Sequence, residues 1–494
     1  MVHRRYKLPV IGRLLLLFAF PSSLALAQYT ANFQTNIISS VTSNWSGNYY
    51  VGNGNFADVL LIENGGVLTG SVQTALGQLS ISSNNHVLVT DPGSILGTRN
   101  HLYVGAAGAG NSVVVSNGAR LITLQDGVTL GNGPSSSGNS MVVTDPGSVW
   151  TNFDNVTVGG NGANNLLIIS NGADVITSTA YVGGTAGSND AALVVDTGSV
   201  WSITGLLWVG GGKTMANNLT ILDGGLVNCG SAQIGDNPGS DSGSMVLVSG
   251  QGSIWTNRGD LYVGYDNGAG NRLVISDGAT AVSSNAYIGD FPVSSNNSVV
   301  VTGSGSMWNN AGRLYVGYQG TSNLLEVAGG SVSATNLTIG FASVACNNTI
   351  ELDNGTLTVT NNGAGVLEVR DGELVLQGGM LQADTLLITN PCAQFIHTGG
   401  TLIISNLVLN PNLFQIVSVA PQTNGMLVTW LMGPGATNAL QATTGDANGN
   451  YSANGFTDIF VVTNNPSLGT ITNYLDTGVM TNGPTRYYRT RLSP

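Results

Sequence analysis

The chain has 494 residues, of which 70 are glycine and only 8% are charged, with 14 basic against 26 acidic side chains and a formal net charge of −12. So little charge excludes a highly charged disordered tail, and so much glycine excludes an ordinary helical globule. The acidic excess makes nucleic acid and anionic membranes poor partners, because both require a basic face.

At the N-terminus, Arg4, Arg5, Lys7 and Arg13 precede the apolar run Leu14 to Phe20, and Ala25-Leu26-Ala27 follows. This is the layout of a secretory signal, residues 1–27, with cleavage expected after Ala27. A membrane anchor would need about 20 uninterrupted apolar residues, and Pro21, Ser22 and Ser23 interrupt this run. Four of the 14 basic residues and none of the 26 acidic ones lie in the signal, which leaves ten positive against 26 negative side chains in the mature chain. No later segment is apolar enough to span a bilayer. The mature chain is therefore expected to be secreted, extracellular or on the outer cell surface, with no transmembrane segment.

From there on the sequence repeats. Gly-Ser recurs at Ser94, Ser148, Ser199, Ser253 and Ser306, and two residues later stands Leu96, Trp150, Trp201, Trp255 or Trp308, with Trp45 one period upstream. The spacings along that column are 51, 54, 51, 54 and 53 residues. Inside each unit of about 53 residues lies a near-duplication. Twelve aliphatic-Gly steps end at Gly52, Gly77, Gly105, Gly131, Gly159, Gly183, Gly210, Gly235, Gly264, Gly289, Gly317 and Gly340, 23 to 29 residues apart. A Gly/Asn/Ser loop usually follows, then an Asn and an alternating strand, as at Asn111, Asn165, Asn218, Asn271, Asn297 and Asn323.

Short period-2 strands between Gly/Asn/Ser turns, with no helical stretch among them, read as β throughout. A half-unit of about 26 residues cannot bury its apolar face alone, whereas stacking successive half-units builds a continuous core. The expected fold class is all-β: a right-handed parallel β-helix (β-solenoid) of about 14 coils over residues 28–410, one half-unit per coil. The Asn column is expected to sit in the left-handed region while its amides bond from coil to coil. The Trp column is either a packed corner aromatic or an exposed stripe offered to a sugar or protein partner. The period degrades from about Gly363, as terminal coils that cap a core should. Residues 411–494 carry longer alternating strands with Pro/Gly/Asn turns and are expected to form a small antiparallel β-sandwich, with Trp430 and Tyr487 as core aromatics.

The segment GSIWTNRGDLYVGYDNGAGNRLVISDGA, Gly252 to Ala279, and a second copy from Gly305 resemble the repeat shared by type V autotransporter passengers and PEP-CTERM (exosortase-sorted) surface proteins. The resemblance runs from about Trp45 to Gly340 and implies a passenger-like extracellular β-helix, structural or adhesive in role. The chain departs from that family at its end. Arg491-Leu492-Ser493-Pro494 is neither a Pro-Glu-Pro sorting tail nor the close of a translocating barrel of roughly 250 residues, so neither export route is expected. Residues 411–494 are instead similar in style to the fibronectin-like terminal modules of secreted bacterial proteins.

Catalytic patterns dissolve into the repeat. Val194-Val195-Asp196-Thr197-Gly198-Ser199 copies the loop of aspartic proteases and a second Asp-Thr-Gly begins at Asp476, and paired loops of this kind share one proton between two carboxylates. Yet Asp91-Pro92-Gly93 and Asp145-Pro146-Gly147 occupy the same repeat position as Asp196, so Asp196 reads as a turn variant. A polysaccharide lyase or glycosidase needs clustered carboxylates with Lys or Arg. Here Lys213 is the single Lys of the mature chain and Glu63, Glu326, Glu351, Glu368 and Glu373 look dispersed. The one dense charge group, Glu368, Arg370, Asp371 and Glu373, reads as a solvated strand edge that resists edge pairing. His86, His101 and His397 share no metal-ligand spacing. Cys229, Cys346 and Cys392 are too few for a disulfide framework, although Cys346 and Cys392 could pair in an oxidising compartment. No catalytic, cofactor-binding or metal residue is therefore assigned, and no cofactor is expected. The expected function is that of a structural or adhesive repeat protein without enzymatic activity, with glycans, extracellular matrix or cell-surface components as partners. The alternative is a carbohydrate-binding or polysaccharide-degrading β-helix.

Overall fold

A computed structural model describes residues 29–493 apart from 213–214, 237–242, 391, 410–414, 433–434, 447–449, 466–469 and 479–484. The expected signal peptide, Lys213 and the expected boundary at 410/411 lie outside the described residues. Each winding of the chain lays down three short strands, such as Ser298–Thr302, Met307–Asn310 and Arg313–Val316. Equivalent strands of successive windings pair in parallel, which gives one 15-stranded sheet and a 28-stranded sheet made of the other two faces. Those two faces become a single sheet because the last windings run their second and third strands together as Met380–Ile388 and Thr401–Leu409. Thirteen windings thus have all three strands before the merged pair, close to the expected count. At ~4.8 Å per strand the stack is about 65–70 Å long. We call the faces first, second and third in the order the chain visits them.

Strict alternation builds this architecture. In Val59–Glu63 and its equivalents every second residue is buried, and the inward Val, Ile and Leu side chains join one core running from Tyr29 to Phe395. A side-chain period of two means that each strand contributes to the shared core from one side only.

The corner between the third and first faces explains the most regular columns of the sequence. Asn85, Asn111, Asn139 and Asn165 form a buried ladder in which each Nδ2 and backbone N–H donates to the Oδ1 of the following rung, for example Asn85 to Asn111 at 2.8 and 3.0 Å. The ladder resumes at Asn271, Asn297, Asn323 and Asn348. Its rungs are not the left-handed residues. That conformation falls one position earlier, at Asn84, Gly110, Gly138, Asn164, Asn296 and Asn347, so that the rung that follows can turn inward. For the same reason Asn217, not Asn218, is the buried rung. The invariant Gly of the aliphatic-Gly step belongs to the same device. A Cβ on Gly264, at φ +80°, would sit 2.2 Å from Asn297 Nδ2, and Gly289, Gly131 and Gly105 meet Asn323, Asn165 and Asn139 equally closely.

The corner between the first and second faces accounts for the Gly-Ser column. The buried hydroxyls of Ser94, Ser148, Ser199, Ser253 and Ser306 accept from the N–H groups of Gly65, Gly118, Gly172, Gly224 and Gly278 in the preceding winding, at 2.9–3.1 Å. Two residues on, Trp150, Trp201, Trp255 and Trp308 are fully buried on the second face. Their register partners are Leu121, Val175, Val227, Ala281 and Val332. A large ring therefore alternates with a smaller side chain from one winding to the next, and this is the physical origin of the two-winding unit. Trp45 is not the first rung of that column. Ser43 aligns with Leu68, and Trp45, two residues later, packs on the terminal winding with its ring centroid 5.3 Å from that of Tyr49.

All three cysteines are free. Cys346 precedes Asn348–Asp353 and Cys392 precedes Ala393–His397, strands two windings apart in the first sheet. That separation, roughly 9.6 Å, is too wide for the expected bridge, which needs Cα atoms within about 7 Å. Burial pushes the Cys229 thiol up to about 12.

The C-terminal region is antiparallel, as expected, with two three-stranded sheets. Val428, Trp430, Met432 and Leu440 form its buried apolar cluster, with Phe460, Tyr474 and Tyr488 packed against them. Tyr488 replaces the expected Tyr487 because adjacent strand residues face opposite sides; the Tyr487 ring lies beside Tyr451, with centroids 4.5 Å apart.

Candidate ligand-binding face

With the Trp column buried, a different set of aromatic residues lies on the outward side of the rod, half-buried against one another with Tyr315 buried among them. The third face places side chains outward at alternate positions of Leu261–Tyr265, Ala286–Ile288, Arg313–Val316, Asn336–Ile339 and Val366–Val369. In register this reads Tyr262, Tyr287, Tyr315, Thr338, Glu368. The first three rings stack along the axis, Tyr262 on Tyr287 at 4.9 Å and 11° and Tyr287 on Tyr315 at 5.2 Å and 16°. A second tier just past the Gly corner adds Tyr265, Phe291, Tyr318 and Phe341. Tyr318 and Phe341 stack at 4.7 Å, and Tyr265 meets Phe291 edge to face at 5.3 Å. Stacking hides ring faces from solvent, so the row presents ring edges and hydroxyls. A similar stacked pair sits farther along the same column, at Tyr181–Trp208, and His101 stacks on Tyr103 within one winding.

Polar groups border the row on its N-terminal side. Asn285 Nδ2 donates to Asp260 Oδ1 at 2.8 Å, Arg313 N donates to Asn285 Oδ1 at 2.9 Å, and Arg313 Nη1 donates to the Tyr315 hydroxyl at 3.3 Å. Burial, with the Asp260 charge nearby, pushes the Asp290 carboxyl up to about 6. At the far end Arg370 pairs with Glu368 at 2.7 Å and lies 4.7 Å from the centre of the Phe341 ring, a cation–π contact. The Glu368 group is thus not a strand edge, since Val366–Val369 is paired on both sides. Between Tyr315 and Glu368, over Thr338, opens a cavity of about 280 Å³ that Arg313, Asn336 and Arg370 also line.

The remaining candidates serve the fold. The Asp196 carboxylate accepts from the N–H of Asn171 at 3.1 Å within an outer Asn/Asp ladder that also holds Asp145 and Asn171 side chains together. Asp476 is bound to Arg486 and receives the Tyr488 hydroxyl at 3.0 Å in the C-terminal region. Asp196 and Asp476 thus have separate structural tasks. Glu326 and Glu351, dispersed in sequence, are direct register neighbours on the outer side of the first face, flanked by Val300 and Val375. His86 contacts Ser112 at 2.7 Å and His101 contacts Thr129 at 3.0 Å, each across one winding. Among the described residues no group of three or more His, Cys, Asp or Glu could hold a metal ion, and no helix is long and apolar enough to cross a membrane.

The Tyr row keeps no period, unlike the Trp column, and so carries a weaker signal in the sequence. Its signal was present in the strings Leu-Tyr-Val-Gly-Tyr at 261–265, Ala-Tyr-Ile-Gly at 286–289 and Leu-Tyr-Val-Gly-Tyr at 314–318. In a Leu-x-Val strand, inward Leu and Val force x outward.

No family model matches this sequence and no curated protein matches it. Among solved structures it aligns with a TibC-catalysed hyper-glycosylated fragment of TibA at 14% identity, covering 76% of this chain and 98% of that one with a TM-score of 0.26.

Proposed function

We propose that the mature chain is a secreted or surface-displayed, non-catalytic binding rod of the adhesive kind, and that its contact surface is the aromatic face around Tyr262, Tyr287 and Tyr315. The observation that carries this reading is the position of these rings. Seven aromatic side chains from three consecutive windings and the one that follows meet on the outward side of the third face, Tyr315 buried among the others and the remaining six half-buried. Contiguous exposed apolar surface rimmed by polar groups marks interaction sites, and Tyr is enriched there because it combines large area with a hydrogen-bonding tip. The Gly-Ser-x-Trp repeat supports reading the rod as passenger-like.

The test is adherence of immobilised residues 28–494 to bacterial and host cells, matrix proteins and glycans. A triple Tyr262→Ser, Tyr287→Ser, Tyr318→Ser variant should lose at least tenfold in retention with an unchanged β-type circular dichroism spectrum. Equal retention by the variant, or no retention by the parent, overturns the reading. N-terminal sequencing of protein secreted from a bacterial host should begin at Gln28. One observation favours a degrading enzyme instead, the Glu326–Glu351 neighbours, since retaining glycosidases use two close carboxylates. Reducing-sugar release by the parent that disappears in Glu326→Gln would replace the adhesive reading.

A further inference from the structure

The two ends of the rod are finished differently. At the N-terminal end the edge is short and interrupted. Thr42–Asn44 and Tyr49–Val51 have three residues each, Trp45 between them packs on the terminal winding, and Tyr29 is buried with its hydroxyl donating to Val59 O at 2.7 Å. At the other end the last winding closes with Thr401–Leu409, a strand of nine residues that pairs with Met380–Ile388 on one side and, among the described residues, with nothing on the other. Thr401 N donates to Gly379 O at 2.8 Å and Thr385 N to Gly365 O at 2.9 Å. Outward-facing residues thus turn their backbone groups to the preceding winding, and the core-facing Leu402, Ile404, Leu407 and Leu409 turn theirs to the open end. These four side chains are only partly buried, although their register neighbours Leu381, Ala383, Leu386 and Ile388 are buried.

Natural sheets blunt such an edge with charge, proline or a cover. Thr401–Leu409 has neither charge nor proline, and the strands of the C-terminal region pair only among themselves. Residues 385–445 contain no Asp, Glu, Lys or Arg in a chain whose formal net charge is −12, so two copies can meet at this end without like charges facing each other. The edge is also its own complement. Its core-facing positions, 402, 404, 407 and 409, are symmetric about the corner between Ser405 and Asn406, where the chain passes from the second face to the third. A two-fold axis through that corner sets the strand antiparallel to the same strand of a second copy, with Leu402 opposite Leu409, Ile403 opposite Val408, Ile404 opposite Leu407 and Ser405 opposite Asn406. Directly opposed residues point to the same side of a sheet, so the open core of one rod meets the open core of the other and the β-branched pair Ile403–Val408 lies outside. Leu402–Leu409 and Ile404–Leu407 are also the pairs whose backbone groups face the open end, as the hydrogen-bonded positions of an antiparallel ladder require.

We infer that the C-terminal end of the solenoid docks a second copy of this chain, two rods joining tail to tail by antiparallel pairing of Thr401–Leu409 with itself. Such a contact is isologous and closes at two copies. A head-to-tail stack would instead have to use the N-terminal edge, which is broken at Trp45 and covered by Tyr29. Nine residues a side is fewer than the roughly 20–30 of a standard interface, so the dimer is reversible and its population follows concentration. The joined rod is about 130–140 Å long at ~4.8 Å per strand. The third face of one copy runs on into the second face of the other, and the assembly carries two aromatic faces, one from each copy, which would add avidity to any surface both can reach. The inference goes beyond the adhesive reading and does not depend on it.

The experiment is sedimentation velocity on residues 28–494 from about 5 to 500 µM, the range in which a small interface populates both states. The weight-average mass should rise from monomer towards dimer and stop there. Ile403→Lys, at an outward position 45% exposed, should keep the β-type circular dichroism spectrum and raise the dissociation constant at least tenfold. Cross-linking reads the register. In a Cys346→Ser, Cys392→Ser background, Ile403→Cys and Val408→Cys chains mixed and oxidised should give a mixed disulfide dimer, because non-hydrogen-bonded antiparallel partners lie about 4.5 Å apart at Cα, within disulfide reach. Neither variant alone should cross-link. A monomer at every concentration overturns the inference, as do oligomers that grow past two, a dimer indifferent to Ile403→Lys, or Ile403→Cys chains that cross-link to one another. None of these measurements reads adherence, so the adhesive reading stands or falls separately.

Discussion

Two aromatic columns run along this rod and obey different rules. Inside, on the second face, Trp150, Trp201, Trp255 and Trp308 alternate with Val175, Val227, Ala281 and Val332 without a slip. Outside, on the third face, the equivalent column reads Tyr181, Trp208, Gln233, Tyr262, Tyr287, Tyr315, Thr338, and keeps no period. Interiors are packed at near-crystalline density, so two stacked indoles would overfill the core and two stacked alanines would leave it empty. The two-winding repeat is the arrangement that keeps interior volume constant. No such constant-volume demand acts on an outward side chain, and the aromatic residues on three successive windings pack on one another rather than into the core. Regularity here marks what the fold requires, and its breach marks where a partner would act.

The sharpest way to break this contrast is to exchange the columns' occupants. Trp255→Ala removes a fully buried indole and should cost about 3–5 kcal/mol, read as a lowered denaturation midpoint or, because solenoids unfold segment by segment, as hydrogen-exchange opening confined to windings near residue 255. Ala281→Trp, adding a ring where the alternation omits one, should also destabilise, by about 1–3 kcal/mol. The double variant should recover part of the loss, since the combined volume is conserved. If Ala281→Trp were neutral, the volume argument for the double unit would fall.

The corner columns come next. Gly264→Ala forces a Cβ into the left-handed region at φ +80° and against the Asn297 amide. Asn297→Ala orphans its partners, the Asn271 N–H and Nδ2 groups. Each should cost roughly 1–3 kcal/mol. If the glycine and the amide are one device, the double variant should cost clearly less than the sum of the singles, measured by the same denaturation curves.

How legible this was depends on whether a residue's role is local. The half-unit, the parallel stacking and the amide bonding along the Asn column followed from spacing, whereas the left-handed position, one residue before each rung, did not. Reading Asp196 as a turn succeeded for the same reason: Asp91 and Asp145 repeat it. Legibility failed where a role is set between windings. That Gly264 makes room for Asn297, that Trp alternates with Ala or Val to hold volume, and that Glu326 touches Glu351 are register facts, and loops of varying length between windings hide register. The Tyr487-for-Tyr488 error has the same root, one residue of phase in a strand whose partners were unknown.

The smallest effect on folding tests an acidic rung of the ladder. Asp190 stands mid-ladder among rungs that are Asn except for Asp58 and Ser244, accepting from the Asn165 N–H and Nδ2 at 2.8 and 3.0 Å while its second oxygen is buried without a partner. Burial pushes its carboxyl up to about 6, against about 3.9 in an unfolded chain. The folded state therefore holds this proton more tightly than the unfolded state. Protonation contributes stability that is fully present below about pH 4 and is lost as the pH rises through 6. Asp190→Asn supplies a neutral amide whose Nδ2 can donate to Asn217 as its neighbours donate along the ladder. The variant should melt higher than the parent at pH 8, by roughly 1–3 °C, and the gap should close as the pH falls to 4. Tyr287→Ser is the necessary partner measurement. On the outer face it should shift the melting temperature no more than Asp190→Asn does, and equally at both pH values, while reducing adherence. If Tyr287→Ser instead unfolded the rod as Trp255→Ala does, the outward column would be structural after all and the contrast between the two faces would be lost.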